Sequence, residues 1–102
     1  LNIVGGLELD ETACDLAVCL AMVSSMLDKP IDDKTVAIGE VGLGGEVRNV
    51  TFLELRLREA QRIGFTKAIV PRHSLKQLDP KEFSDIELVG VSYLRDAIQA
   101  IK

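Results

Sequence analysis

A chain of 102 residues with 47% hydrophobic and 27% charged side chains has the composition of one ordinary globular domain, and this argues against disorder or a second core. With only 4% aromatic residues its core is aliphatic, and the longest apolar run, Leu16 to Leu27, is too short for a bilayer and contains Ser24 and Ser25. The net charge of -4 is unevenly spread: residues 1–45 hold two Lys and eight Asp or Glu, residues 46–76 hold seven Lys or Arg and three Glu, and residues 77–102 hold three basic and five acidic groups. A basic segment inside an acidic chain points to one face that meets a polyanion or an acidic partner.

The chain opens in a strand-like pattern, Leu1 to Leu9, broken by Gly5-Gly6, with no initiator Met and no basic segment before an apolar stretch. It reads as a piece of a longer protein. Asp10 offers an N-cap, and Glu11 and Asp15 suit the positive end of a helix that runs to Leu27. This is first-turn helix chemistry, not acid/base catalysis. Leu16, Cys19, Leu20, Val23 and Leu27 form one stripe, and Ala13, Ala17, Ala21 and Ser24 a second, so the helix is expected to be mostly buried. Cys14 and Cys19 stand about 140° apart on such a helix and cannot easily bridge, which fits buried free thiols and a cytoplasmic location.

Asp28-Lys29-Pro30 ends the helix, and Thr35 to Val41 reads as one strand buried on both faces. Gly42 to Gly45 is a turn, and Glu46 to Val50 pairs back as a hairpin with Arg48 on its polar side. A phosphate-cradling reading of these glycines is weak, because no helix follows them directly. Thr51 is the expected cap of a helix from Phe52 to Ile63, with Leu53, Leu57, Ala60 and Ile63 inward and Gly64 as its stop. Glu54, Arg58 and Arg62 follow one another at four-residue spacing and form a salt-bridged basic ridge. Lys67 to Pro71 is a short buried strand, and Arg72 to Phe83 a loop with one helical turn. Ile86 to Val89 is a last strand, and Ser92 caps a helix to Ile101. The single His73, in a polar loop without ligands at metal spacing, gives no metal site. The fold class is α/β, a two-layer α+β arrangement in the order β-α-β-β-α-β-β-α.

The hairpin from Gly39-Glu40 to Val47, the helix after it, and Gly64-Phe65 leading into Ile69-Val70-Pro71 together resemble the proteolytic domain of Lon-type proteases, which has the ribosomal protein S5 domain 2-like fold. In that family a serine nucleophile opens the first helix and a lysine base opens the second. By ungapped counting those positions fall on Ala13 and Glu54, so the resemblance implies a degenerate site with no catalytic residue. A closer resemblance is to the C-terminal Lon-like domain of the bacterial RadA (Sms) family of DNA repair proteins. Val4-Gly5-Gly6-Leu7, Asp15-Leu16-Ala17-Val18, Ser24-Ser25, Asp28-Lys29-Pro30, Gly39-Glu40-Val41-Gly42-Leu43, Gly45-Glu46-Val47-Arg48, Arg56-Leu57-Arg58-Glu59-Ala60 and Gly64-Phe65 carry it, in order. Asn49 replaces a frequent proline, and Cys14 and Cys19 stand at positions usually small and apolar.

That resemblance implies one Lon-like domain over residues 1–102, non-catalytic, in a parent that is an ATP-dependent DNA repair and recombination protein. A zinc finger and a RecA-like ATPase would lie upstream. ATP, Mg2+ and Zn2+ would belong to those modules, with no cofactor or metal in this chain. It further implies assembly as a homo-oligomer, a hexamer, on single-stranded or branched DNA, with a recombinase as a further partner and no membrane. Arg48, Arg56, Arg58, Arg62, Lys67, Arg72 and Lys76 are the candidate phosphate contacts, against the plainer alternative that they solvate a helix or pair with Glu54 and Glu59. A peptidase using Cys14 is the competing reading, weakened because one residue along a helix is a turn of about 100° away from the serine position. An RNA-binding module is a third, weakened by an expected lack of exposed aromatics for stacking.

Overall fold

Two segments of extended backbone far apart in sequence, each rich in β-branched or small apolar residues, pair in parallel at the centre of the molecule. In the computed structural model, which describes residues 11–102, β1 (Thr35–Ala37) pairs with β4 (Lys67–Pro71), and β4 with β5 (Glu87–Val91), giving a parallel sheet in the order β1-β4-β5. β2 (Glu40–Val41) and β3 (Val47–Arg48) form a separate antiparallel hairpin. The helices are α1 (Asp15–Leu27), α2 (Leu53–Arg62) and α3 (Leu94–Ile101). The α/β class is therefore as expected. The strand over Leu1 to Leu9 and the Asp10 cap lie outside the described residues.

Because successive strand residues point to opposite faces, the sheet feeds two apolar clusters. Val36, Ile38, Ala68 and Val70 join Leu53, Leu57 and Ala60 of α2, with Phe65, Leu78, Phe83 and Ile86 closing that side. Ala37, Ile69 and Val91 join Leu16, Ala17 and Leu20 of α1 and Ala97 of α3. Parallel strands covered on both faces read as unbroken apolar runs, which is the pattern of Ala68-Ile69-Val70.

The expected single strand from Thr35 to Val41 is two, and Gly39 is the reason. Its N–H donates to the Ala13 carbonyl (3.1 Å) and its carbonyl accepts from Leu16 N–H (3.0 Å), so the chain leaves the sheet to bond the short helical turn Glu11–Cys14 and the start of α1 that follows it. A Cβ at Gly39 would lie 2.9 Å from Val47 Cγ1, so only glycine permits this approach without displacement of the hairpin. Asp15 adds a stitch by accepting from Val41 N–H at 3.2 Å. The hairpin then bonds the segment after β5: Val47 N–H donates to Ser92 and Leu94 N–H to Gly45.

The helix ends differ from expectation. α2 starts after Phe52, not Thr51, and Phe52 takes a left-handed φ of 60°. Its far end is as expected: Gly64 has φ 105°, Gly64 N–H donates to Gln61 and Phe65 N–H to Ala60, the paired bonds of a Schellman stop. At α3 the cap is Tyr93 instead of Ser92, with Asp96 reaching back to accept from Tyr93 N–H. The loop from Arg72 to Phe83 holds two 3-10 turns, Arg72–Gln77 and Pro80–Phe83.

α1 is less buried than its two stripes imply. Leu16, Ala17 and Leu20 are enclosed, but Ala21 and Leu27 are exposed, and so are Met22 (62%) and Met26 (82%). The cause is length: a 13-residue helix runs about 20 Å, against about 10 Å for the three residues of β1 beneath it. Cys14 and Cys19 are free thiols, half-buried instead of fully enclosed.

Polar groups tie α2 to the second 3-10 turn. Arg58 bridges Glu54 (2.5 Å) and Glu82 (2.9 Å), while Gln61 donates to the Glu82 carbonyl and accepts from Asp85 N–H. The hydrogen bond from Arg58 holds the Glu82 carboxyl below its ordinary value of 4.5. A depressed carboxylate stabilises the fold above its unfolded value, and this contribution is lost as pH falls through the folded value. Arg58→Ala should therefore lie below wild type in urea midpoint at neutral pH and converge on it in acid, once the Glu82 carboxyl is protonated in the folded state. An equal gap at both would contradict the pairing. A second expectation concerns Gly90, where an added Cβ would lie 3.0 Å from the Arg72 Cα and 2.6 Å from Leu75 Cδ1. Gly90→Ala should cost about 1–3 kcal/mol by urea denaturation, and an unchanged midpoint would show that the turn is not pressed against β5.

Candidate nucleic-acid interface

The basic segment does not form a single stripe. Arg48 sits on the hairpin, where it bonds Glu46 at 2.7 Å and lies 3.6 Å from Glu40. Arg58 is held in the clamp to Glu54 and Glu82. Arg62 grips Glu59 through two bonds, Nε at 2.9 Å and Nη2 at 2.5 Å. Hydrogen bonds from Arg48 and Arg62 hold Glu46 and Glu59 below the usual carboxylate range, and the guanidinium groups are shifted up in return. The ridge on α2 exists as expected, but its charge is largely cancelled on the spot.

Arg56 is a correction. It is only 2% exposed, so it does not face solvent and cannot be a surface phosphate contact. Its Nε donates to the Thr51 carbonyl at 3.1 Å, while Nη2 is buried without a hydrogen-bond partner. The spacing carries the signal: Leu53, Arg56, Leu57 and Ala60 fall at i, i+3, i+4 and i+7 of one helical face. Arg56 thus occupies a place on the inner stripe, and Ile63, expected there, is 52% exposed beyond the last turn.

Lys67, Arg72 and Lys76 make no ion pair among the described residues. Lys67 opens β4 and Arg72 follows its last residue, so the two lie at opposite ends of a five-residue strand, about 16 Å apart along it. Arg72 and Lys76 share the first 3-10 turn with the exposed His73, at the carboxyl end of the parallel sheet. Ligands of open α/β sheets commonly lie at that end.

The two positions matched to the Lon nucleophile and base also have plain occupants. Ala13 is buried with Val50 and Leu53. Glu54 is half-buried and paired with Arg58. Glu54 lines a shallow groove of about 370 Å³ together with Asn49, Phe52, Leu55 and Gln77, which joins the hairpin exit, the start of α2 and the end of the first 3-10 turn. Phe52 is 57% exposed and Tyr93 40%, so exposed aromatics are present after all. Tyr93 is covered by the Arg95 guanidinium, 4.4 Å from its ring centre, whereas Phe52 is not. Among the described residues no three His, Cys, Asp or Glu side chains gather as a metal site, and no helix is long and apolar enough to cross a membrane.

Comparison with known proteins adds to this geometry. The model of the family described as subunit ChlI of Mg-chelatase matches residues 4–74. Proteins named DNA repair protein RadA from Streptococcus pyogenes serotype M3 (strain ATCC BAA-595 / MGAS315) and from Aquifex aeolicus are each 42% identical over 101 residues, 99% of this chain and 22% of theirs. The protein of that name from Synechocystis sp. is 50% identical over 72 residues, 71% of this chain and 14% of its own. The chain thus spans about a fifth of the length of the curated relatives it matches, or less. It belongs to the family that the matching model describes and, within it, is a domain of the RadA type of DNA repair protein.

Proposed function

We propose that this chain is a non-catalytic, Lon-like domain of a RadA-type DNA repair protein, and that it contributes to hexamer assembly and to DNA binding. The observation that carries the first part is the pair Ala13 and Glu54. A methyl group in an apolar cluster supplies no nucleophile, and a carboxylate bound to Arg58 cannot serve as a neutral amine base. Cys14 does not replace them. It is half-buried at the start of α1, and no described side chain hydrogen-bonds it as a base. ATP, Mg2+ and Zn2+ are then the business of other modules of the parent, as is any recombinase contact.

DNA binding is supported by the cations that carboxylates leave free. Arg48, Arg58 and Arg62 already have carboxylate partners, whose negative charge lowers the net attraction of those surfaces for phosphate. Arg72 and Lys76 have no such partner among the described residues. They are the favoured phosphate contacts, with Lys67 as an outlying one, and contacts of this kind are indifferent to sequence and sensitive to salt.

The test compares Arg72→Glu with Lys76→Glu against Arg58→Gln with Arg62→Gln, each pair in the intact RadA-type parent, by titrating single-stranded DNA over a range of salt. The first pair should weaken binding and flatten the slope of log affinity against log salt by about 0.7 for each phosphate no longer neutralised. The second pair should leave the slope unchanged. A slope untouched by Arg72→Glu with Lys76→Glu would remove DNA binding from this domain, and subunit dissociation in either variant would assign those cations to assembly.

A further inference from the structure

We propose that Phe52 is a stacking platform for a base of single-stranded DNA at the mouth of the groove between α2 and the first 3-10 turn; the proposal rests on the DNA-binding reading above and names how the strand is held. Phe52 is a bulky residue with φ 60°, a backbone region that side chains of its kind rarely occupy. The surroundings hold it there. Arg56 N–H donates to the Phe52 carbonyl at 3.0 Å, and the enclosed Arg56 side chain donates to the carbonyl of Thr51 just before it. Leu53, the next residue, is 7% exposed, which fixes the chain from the other side. The Phe52 ring is left in solvent at 57% exposure, with no described cation over its face.

Its neighbours suit a base. Asn49 and Gln77 line the groove with Phe52 and offer amide donors and acceptors to a base edge, and the buried Val50, Leu53 and Leu78 add an apolar floor. Charge complementarity selects the occupant. Lys76, unpaired among the described residues, precedes Gln77 in the same turn, and the acid in the groove, Glu54, is drawn to Arg58 at 2.5 Å, a cation it shares with Glu82. Lys76 is thus one residue from a groove-lining amide, and a cation near an exposed ring is the arrangement by which proteins hold single strands without sequence preference, phosphate on the cation and base on the ring. A duplex offers no free base face.

The chain contains no Trp, so Phe52→Trp places a single reporter at the site. Titration of that variant with oligothymidylate should quench its emission saturably, and a duplex of equal length should not. Phe52→Leu, which keeps bulk but has no π face, should lose about tenfold in affinity for the single strand with the salt slope unchanged, and Phe52→Tyr should retain it. Far-UV circular dichroism checks that each variant is folded. Unaltered binding by Phe52→Leu, or an unquenched Phe52→Trp while Arg72→Glu with Lys76→Glu still weakens binding, would overturn stacking and leave the DNA reading standing. Loss of Phe52→Leu binding to a protein partner but not to DNA would also overturn it. No effect of either set on DNA would overturn both readings.

Discussion

Gly39 is the residue on which the arrangement of this domain turns. A strand that continued straight from Ile38 would carry Glu40 and Val41 along the sheet. Instead the backbone groups of Gly39 bond Ala13 just before α1 and Leu16 in its first turn, and the chain is released into the β2–β3 hairpin. The hairpin then sits against the segment after β5 and delivers Asn49 to Phe52 at the edge of the parallel sheet. A Cβ at Gly39 would meet Val47 Cγ1 at 2.9 Å, so any other residue there would push the hairpin side chain away.

The same hairpin, α2 and the turns around β4 carry the basic segment, and the distribution of carboxylates decides what its charges can do. Seven Lys or Arg between residues 46 and 76 look like a uniform patch when counted. In three dimensions one is enclosed, three are paired within the domain and three make no ion pair among the described residues. Surface pairs add little stability, but they lower the net attraction of a helix for phosphate. The electrostatic weight moves from the outer flank of α2 to the turn that follows β4. That turn ends at Gln77, which lines the groove together with Glu54 and Phe52, so the proposed strand site adjoins the position that the Lon resemblance aligns with a base.

Much of this is legible in the sequence, for identifiable reasons. Val36-Ala37-Ile38 and Ala68-Ile69-Val70 announce strands buried on both faces, and Gly64 announces the end of α2, because those features depend on a few local residues. The break at Gly39 is not legible, since it depends on Ala13 and Leu16, more than twenty positions earlier in the chain. The exposure of α1 depends on how short the strands beneath it are, which its own periodicity does not report. Arg56 reads as a surface group because of its charge, although its spacing with Leu53 and Ala60 places it inward. Phe52 reads as an ordinary first residue of a helix, and its left-handed backbone accompanies the Arg56 bonds to the Thr51 and Phe52 carbonyls, which its own residue type does not announce.

The claim at the centre of this picture is that the domain meets DNA through the groove and the turn after β4, with the outer flank of α2 turned elsewhere. Backbone amide NMR of the isotopically labelled chain, titrated with a short oligothymidylate, tests this residue by residue. Shifts should concentrate at residues 49–55 and 72–78 and leave Arg58 and Arg62 unmoved. Shifts centred on Arg58 and Arg62, or none at saturating DNA, would contradict it.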